Sequence, residues 1–253
     1  MGGIEKYLYN LMNQIDKKEF SVDFIDDALT HRAMFRSYFI EQHKSKFMDI
    51  THRRKSIFKN RIELEKILKN NDYDILHFHA NTLSYIAPIR IALRYGIKVI
   101  VHSRSSNFQR KGFFRILHYV NKYLLMNADL IRVAVSKNSF TWLFGKRKKS
   151  TVIYNGVDKS KFKHNLILRK ELRTRFGIDN KFIIGHIGTF SKIKNHLFLL
   201  EVFSYFLKLE KNAYLILVGE GPEKYAGDLR CTRIGLPAVC GKSGFSAIIR
   251  TPC

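Results

Sequence analysis

Hydrophobic and polar positions alternate along the chain with two different periods, and this pattern predicts an α/β protein. Short apolar runs rich in β-branched residues, such as Lys98–Ser103 (KVIVHS) and Phe182–Ile187 (FIIGHI), predict buried strands. Between them lie segments whose apolar residues recur every three or four positions, as at 57–70 and 113–126, and these predict helices. Strands and helices that alternate in this way form parallel sheets covered by helices on both faces.

The predicted strands fall into two groups. One group ends near Tyr154 and the second begins at Phe182, which predicts an N-terminal domain at 1–156, a linker at 157–180 and a second sheet at 181–223. Residues 30–56 show no clear period and stay unassigned.

The segment 224–253 differs from the rest of the chain. It holds all three cysteines and two of the four prolines, and no helical or strand period persists in it. We expect it to be a tail that is not native to the fold, such as the product of a shifted reading frame, and a loop-rich terminus is the alternative. The odd number and the spacing of the cysteines fit neither a disulfide framework nor a zinc site.

The stretch 182–208 predicts a strand, a glycine-containing loop and the start of a helix. Gly188 ends the strand, Lys192 and Lys194 lie in the loop, and Asn195 is the predicted N-cap of the helix. A helix N-terminus with a nearby glycine and lysine suits an anion such as a phosphate. Many αβ loops of this kind bind nothing, so this alternative stays open.

The formal net charge of +24 predicts attraction to an anionic partner. An anionic membrane face, nucleic acid and phosphorylated substrates all fit, and basic solvated faces without a partner are the alternative. The sequence has no RNP-type aromatic motif, helix-turn-helix or zinc finger, so we expect no specific nucleic acid. It has no apolar run long enough to span a bilayer and no signal pattern, which predicts a cytoplasmic protein.

Candidate chemistry lies where predicted strands end, because ligands of open α/β folds sit beyond the carboxyl ends of strands. His102 ends the strand KVIVHS, where it could act as a base or bind a sugar or phosphate, or simply be satisfied by backbone. His77 and His79 share one face of a strand, but no third ligand is apparent, so we expect pocket-lining roles and no metal site. No P-loop or dinucleotide fingerprint is present.

Several stretches together resemble retaining glycosyltransferases of family 4, with the GT-B fold, of the bacterial capsular and exopolysaccharide type. The matching stretches occur in the family's order and cover most of residues 2–222: GGIEKYLYNL, DILHFHA, KVIVHSRS, AVSKNS, VIYNGVD, GHIGTFSKIKNHLFLLEVF and LILVGEGP. The resemblance implies two Rossmann-like domains, of which the N-terminal one binds the acceptor and the C-terminal one binds a nucleotide-sugar. It implies metal-independent transfer of a hexosyl-type group, with protein groups stabilising the leaving diphosphate.

The resemblance also implies roles for particular residues. His102 would lie near the transferred sugar as the catalytic residue. The donor-binding residues would be Gly2, Gly3, Gly188, Thr189, Lys192, Lys194, Glu220 and Gly221. The family usually has arginine where this chain has Thr189, which cannot make the bidentate contact of arginine, and Lys192 would substitute in part.

The chain also departs from the family at its two ends. No strand precedes Gly2, and the pair of glutamates that holds the donor in the family has no counterpart after 223. We therefore expect a member truncated at both ends, with an incomplete C-terminal domain and impaired transfer. The expected donor is a UDP-sugar, without another cofactor, and the expected acceptor is a lipid-linked or oligosaccharide chain of a surface polysaccharide at the inner face of the membrane. A basic α/β binding module for anionic lipid or nucleic acid, and a nonfunctional fragment, are the alternatives.

Overall fold

The computed structural model describes residues 3–27, 33–106, 112–146, 151–223, 238–239 and 247–249. Its backbone forms two units, Met1–Lys161 and Phe162–Cys253, each with its own core. Both units combine helices with parallel strands, so the α/β class predicted from the sequence is confirmed.

The N-terminal unit alternates helices and strands along the chain. Its elements in order are α1 (Gly3–Met12), β1 (Phe24–Asp26), α2 (Ala33–His43), β2 (Phe47–Asp49), α3 (Ile57–Asn70), β3 (Ile75–Ala80), α4 (Ala87–Arg94), β4 (Lys98–Ser103), α5 (Phe113–Leu124), β5 (Ile131–Ala134), α6 (Lys137–Phe144) and β6 (Thr151–Val152). The unassigned stretch 30–56 thus contains a helix and a strand.

Two sheets, not the single one predicted, carry the strands of the N-terminal unit. Strands β3, β4, β5 and β6 form one parallel sheet in sequence order, while β1 and β2 form a separate parallel pair. Arg36 on α2 binds the carboxylates of Asp26 and Asp49 at the ends of that pair. This bridge joins α2 to both strands.

Local sequence explains several helix positions around the larger sheet. Ser56 and Ser136 cap α3 and α6 by accepting hydrogen bonds from backbone amides in the first turn. Helix α5 is tied to the segment before α4 through Leu83, whose backbone amide donates to His118 and whose carbonyl accepts from Asn121. The core between sheet and helices consists mainly of leucine, isoleucine and valine side chains.

The C-terminal unit contains α7 (Leu166–Phe176), β7 (Phe182–Ile187), α8 (His196–Leu209), β8 (Ala213–Val218), β9 (Ala238–Val239) and β10 (Ala247–Ile249). Strands β7 and β8 pair in parallel, as expected for a βαβ unit. Leu200 and Phe203 of α8 pack on this pair together with Phe190. The predicted linker 157–180 therefore includes a helix, α7.

Two short strands, β9 and β10, lie within 224–253, where the sequence shows no strand period. β10 pairs antiparallel with both β8 and β9, so the sheet order is β7–β8–β10–β9. The pairing covers the edge of β8 that would otherwise be open. Whether this segment is native to the fold stays a prediction.

Apolar side chains are exposed on the outer face of α5. Phe113, Ile116, Tyr123 and Leu124 keep 60–72% of their surface accessible. None of the helices within the described ranges combines the length and apolar character that crossing a bilayer requires.

Candidate functional site

Three histidines meet near the carboxyl end of the larger parallel sheet, and we call them the histidine cluster. His77 and His79 lie two residues apart on β3 and share a face, and the register of β3 and β4 pairs His79 with His102. The Nε2 atom of His77 lies 3.2 Å from Nδ1 of His102, and the rings of these two residues are parallel. His102 is fully buried.

Tyr7 and Arg104 complete the surroundings of the histidine cluster. The Tyr7 ring, from α1, packs edge-on against all three imidazoles, with centroid distances of 5.1–6.3 Å. The Arg104 guanidinium lies over the Tyr7 ring at 4.5 Å, reaches His102 Nε2 at 3.4 Å and donates to the Gly3 carbonyl at 3.0 Å. Arg104 thus links the start of α1 to His102.

Burial keeps the three imidazoles neutral near pH 7. It lowers the pKa of His77 and of His102 to about 4, and the nearby charge of Arg104 adds to the effect. Burial lowers the pKa of His79 to about 2, with contributions from the two neighbouring histidines and Arg104. A neutral imidazole can donate one hydrogen bond and accept another, or bind a metal ion.

Sequence reasoning recognised His102 but missed the cluster. The expectation that no third ligand joins His77 and His79 was wrong, because the parallel register places His102 beside them. The sequence did contain a signal for the cluster, since both strands carry histidine near their carboxyl ends. The carboxyl ends of neighbouring parallel strands lie at the same edge of a sheet. Tyr7 had no recognisable signal, whereas Arg104 lies in the loop that follows the strand KVIVHS, where candidate chemistry is expected. Gly3 approaches the site through its carbonyl, and Gly2 lies outside the described residues.

In the C-terminal unit, the loops that follow β7 and β8 lie side by side. The Gly188 amide donates to Val218, the Phe190 amide donates to Glu220, and the Glu223 amide donates to Phe190. We call residues 188–194 the donor loop. The structure therefore brings together Gly188, Thr189, Glu220 and Gly221, four of the residues singled out from the sequence.

Two glycines allow this close approach. A Cβ atom on Gly219 would lie 1.9 Å from the Gly188 carbonyl oxygen, and one on Gly221 would lie 2.2 Å from that of Phe190. Any larger residue would push the loops apart. Gly221 was singled out from the sequence and Gly219 was not, although it stands in the same Gly219-Glu220-Gly221 motif.

The two loop lysines lie on a short 3-10 turn, Lys192–Lys194, and not at the first turn of a helix. Asn195 occupies the predicted N-cap position of α8, but it adopts a left-handed conformation (φ 48°), and among the described residues its side chain makes no capping hydrogen bond. Both lysines are exposed, and the aliphatic part of Lys194 lies beside Gly188. Their charges therefore face solvent at the carboxyl end of β7.

Comparison with known proteins identifies the family. The family described as Glycosyltransferase Family 4 matches residues 1–161, which is more than half of the chain. The chain belongs to glycosyltransferase family 4. The matched region coincides with the N-terminal unit and includes the histidine cluster.

Related proteins and solved structures agree with this assignment. EpsF of Bacillus subtilis (strain 168), provisionally named a glycosyltransferase, is 24% identical over 231 residues, covering 87% of this chain and 59% of EpsF. The crystal structure of Anabaena Alr3699/HepE with UDP-glucose has a TM-score of 0.68 at 21% identity, covering 93% of this chain and 63% of that one. The HepE structure with UDP has a TM-score of 0.70 at 20% identity, covering 92% and 63%.

These likenesses support the predicted GT-B-like fold for the family 4 chain. Because the sequence identities are near 20%, these likenesses support a shared fold alone. The chain spans about three-fifths of the length of the relatives it matches.

Proposed function

We propose that this family 4 chain takes part in transferring a hexosyl group from a nucleotide-sugar to a lipid-linked or oligosaccharide acceptor of a surface polysaccharide. The proposed donor site rests on one observation, the backbone hydrogen bonds that join the donor loop to the loop after β8. The donor loop carries two lysines, and both loops contain glycines. That HepE was solved with UDP-glucose and with UDP supports a UDP-sugar as the donor.

On the donor side, Lys194 is the proposed partner of the diphosphate. Its aliphatic chain packs beside Gly188, so its exposed ammonium is held near the backbone at the end of β7. A lysine is a mobile point charge suited to phosphate oxygens. Lys192, on the same turn, supplies a second charge where Thr189 cannot. We propose that these charges, without a metal ion, stabilise the leaving UDP.

On the acceptor side, His102 is the proposed residue that contacts the transferred sugar. Its neutral imidazole can accept a hydrogen bond from a hydroxyl group, provided that Arg104 releases the Nε2 atom. Arg104 also contacts the Gly3 carbonyl, so the glycine turn before α1 and His102 would respond together to a bound ligand. Neutrality near pH 7 is what a hydrogen-bonding or basic role of the imidazole requires.

A lipid-linked acceptor would place the protein at a membrane surface, and α5 is the proposed contact. Its exposed apolar side chains suit the boundary between headgroups and acyl chains. The net charge of +24 favours an anionic leaflet, each nearby positive charge contributing about 1 kcal/mol. We propose peripheral binding at the cytoplasmic face.

UDP binding is the most direct test, because the proposed contacts with the diphosphate come from residues of this chain. UDP should raise the melting temperature of the 253-residue protein, and Lys194→Gln should weaken UDP binding about tenfold, through loss of a charge-assisted contact worth roughly 1.4 kcal/mol. Lys211→Gln is the matched control, since this exposed lysine precedes β8 at the other end of the strand. Calorimetry measures both affinities.

Other outcomes would reject the donor site. Equal weakening by both substitutions would indicate nonspecific attraction of UDP to a basic surface. Absence of UDP binding together with steep, salt-dependent binding of DNA would favour a nucleic-acid-binding module. Aggregation of the purified protein without UDP protection would favour a nonfunctional fragment.

A further inference from the structure

The histidine cluster has a feature that sugar transfer does not explain. Within the part of the chain that the structure describes, neither ring nitrogen of His79 has a hydrogen-bond partner, and both are buried. A buried polar atom without a partner costs roughly 1–3 kcal/mol. Such groups in a folded protein call for an explanation, and a bound ion is one such explanation.

The geometry of the cluster points to a metal ion. One ring nitrogen from each of His77, His79 and His102 lies within 4.8 Å of the others. The closest pair, His77 Nε2 and His102 Nδ1, is 3.2 Å apart. Two nitrogens bound to one tetrahedral zinc ion at 2.0–2.1 Å lie about 3.3 Å apart, so this pair already has the required spacing.

We propose that His77, His79 and His102 bind a divalent transition-metal ion of the zinc type through three neutral imidazoles, leaving a fourth position open. Imidazole ligands select such ions over magnesium or calcium, which prefer oxygen. The ion takes the place of the hydrogen between His77 Nε2 and His102 Nδ1, and this hydrogen moves to the other nitrogen of its own ring. Each imidazole therefore stays neutral, and no proton is released. Since the ion occupies His102, the metal-bound form is the inhibited form of the proposed transferase.

Arg104 opposes metal binding in this arrangement. Its guanidinium donates toward His102 Nε2 at 3.4 Å and carries a positive charge close to the site. When Nδ1 of a neutral imidazole binds the metal, Nε2 must carry the hydrogen and becomes a donor. Arg104 therefore has to turn away, and its contacts with Tyr7 and Gly3 would loosen. Arg104 thus sets how tightly the ion is held.

Metal titration of the chelator-treated, 253-residue protein tests the site. The three cysteines are alkylated first, because thiolates also bind zinc. We expect one equivalent of Zn²⁺ by calorimetry, and Co²⁺ should give the visible absorption of a tetrahedral site. Zn²⁺ at a hundredfold excess over its dissociation constant should raise the melting temperature by about 5–10 °C.

Variants assign the binding to the cluster. His79→Leu should abolish one-equivalent binding, yet melt no lower than wild type without metal, because it removes two unpartnered buried nitrogens. His77→Gln is the second variant, should His79→Leu fail to fold. His43→Leu is the control, since within the described residues its buried ring nitrogens also lack hydrogen-bond partners, but its ring packs against Tyr38 and Phe39.

Arg104→Gln gives an independent readout, because it removes the charge and offers an oxygen to His102 Nε2–H. We expect it to tighten Zn²⁺ binding at least tenfold. Absence of binding, binding that survives in His79→Leu and His77→Gln, or binding lost only on alkylation would overturn the proposal. The test does not depend on sugar transfer, so it fails or succeeds separately from the proposed function.

Discussion

Lowering the pH from 7 to 5 should destabilise the N-terminal unit through His118 on α5. This imidazole is fully buried, and its ring stacks on Trp142 at 4.5 Å with an angle of 9°. Its Nδ1 accepts a hydrogen bond from the Leu83 amide at 3.0 Å. Burial, with a smaller contribution from Lys122, lowers the pKa of His118 to about 4.

The sign of the effect follows from the direction of the shift. The ordinary pKa of histidine is about 6.5. At a pH between 6.5 and 4, His118 is therefore protonated in the unfolded chain but neutral in the folded protein. The stabilisation is therefore complete above pH 6.5 and is lost progressively as the pH falls toward 4. A shift of this size changes the free energy of unfolding by about 1–2 kcal/mol between pH 7 and pH 5.

Urea unfolding at pH 7, 6 and 5 measures this loss. Trp142 is the only tryptophan, so its fluorescence reports on the N-terminal unit. Because the His118 ring can quench this fluorescence, far-UV circular dichroism serves as a second, independent probe of unfolding. The variant His118→Asn keeps an oxygen that can accept from Leu83 and cannot titrate. It should be less stable than wild type at pH 7, since it loses the ring stacking on Trp142.

The difference in stability between wild type and His118→Asn should then shrink by about 1–2 kcal/mol at pH 5. Other buried histidines act equally in both proteins, so they cancel. His164→Asn, at an exposed position, is the matched control and should follow the wild-type profile. Parallel pH profiles for wild type and His118→Asn would refute the reasoning.

Two further predictions concern the donor loop and the apolar face of α5. Gly219→Ala should destabilise the C-terminal unit by about 1–3 kcal/mol in urea unfolding and weaken UDP binding, because its Cβ would overlap the Gly188 carbonyl. Gly185→Ala should cause neither effect, because its Cβ would meet no described atom within 4 Å. Equal effects of the two substitutions would contradict the steric argument. Ile116→Glu should reduce sedimentation with phosphatidylglycerol vesicles severalfold. The equally exposed Ile62→Glu on α3 should have little effect, and a similar loss there would argue against α5.

Much of the fold could be predicted from local sequence. The bounds of β4, β7 and α3 agree with the predicted segments, because β-branched runs and apolar stripes are strong there. Helix α2 and strand β2 were missed because the apolar residues of AMFRSYFIEQH form no single stripe and β2 has only three residues. Tertiary packing, including the bridge from Arg36, accounts for these elements.

The site could be predicted only where position along a strand determines it. His102 and the donor loop follow from strand ends, since parallel strands present their carboxyl ends at one edge. Arg104 also follows a strand end, but its contact with Tyr7 could not be found this way, because the approach of Tyr7 depends on how α1 packs against the sheet. The left-handed Asn195, which separates the loop lysines from α8, likewise gave no signal in the sequence.

The pairing of His79 with His102 makes the histidine cluster harder to alter by substitution than the loop that follows Ser103. The cluster depends on backbone hydrogen bonds between adjacent strands, and a slip of one residue would turn the histidines to the opposite face. Substitutions in the loop after Ser103 would leave that pairing intact. The acceptor preference of such a protein could therefore diverge by loop variation, while the three imidazoles are inherited as one unit.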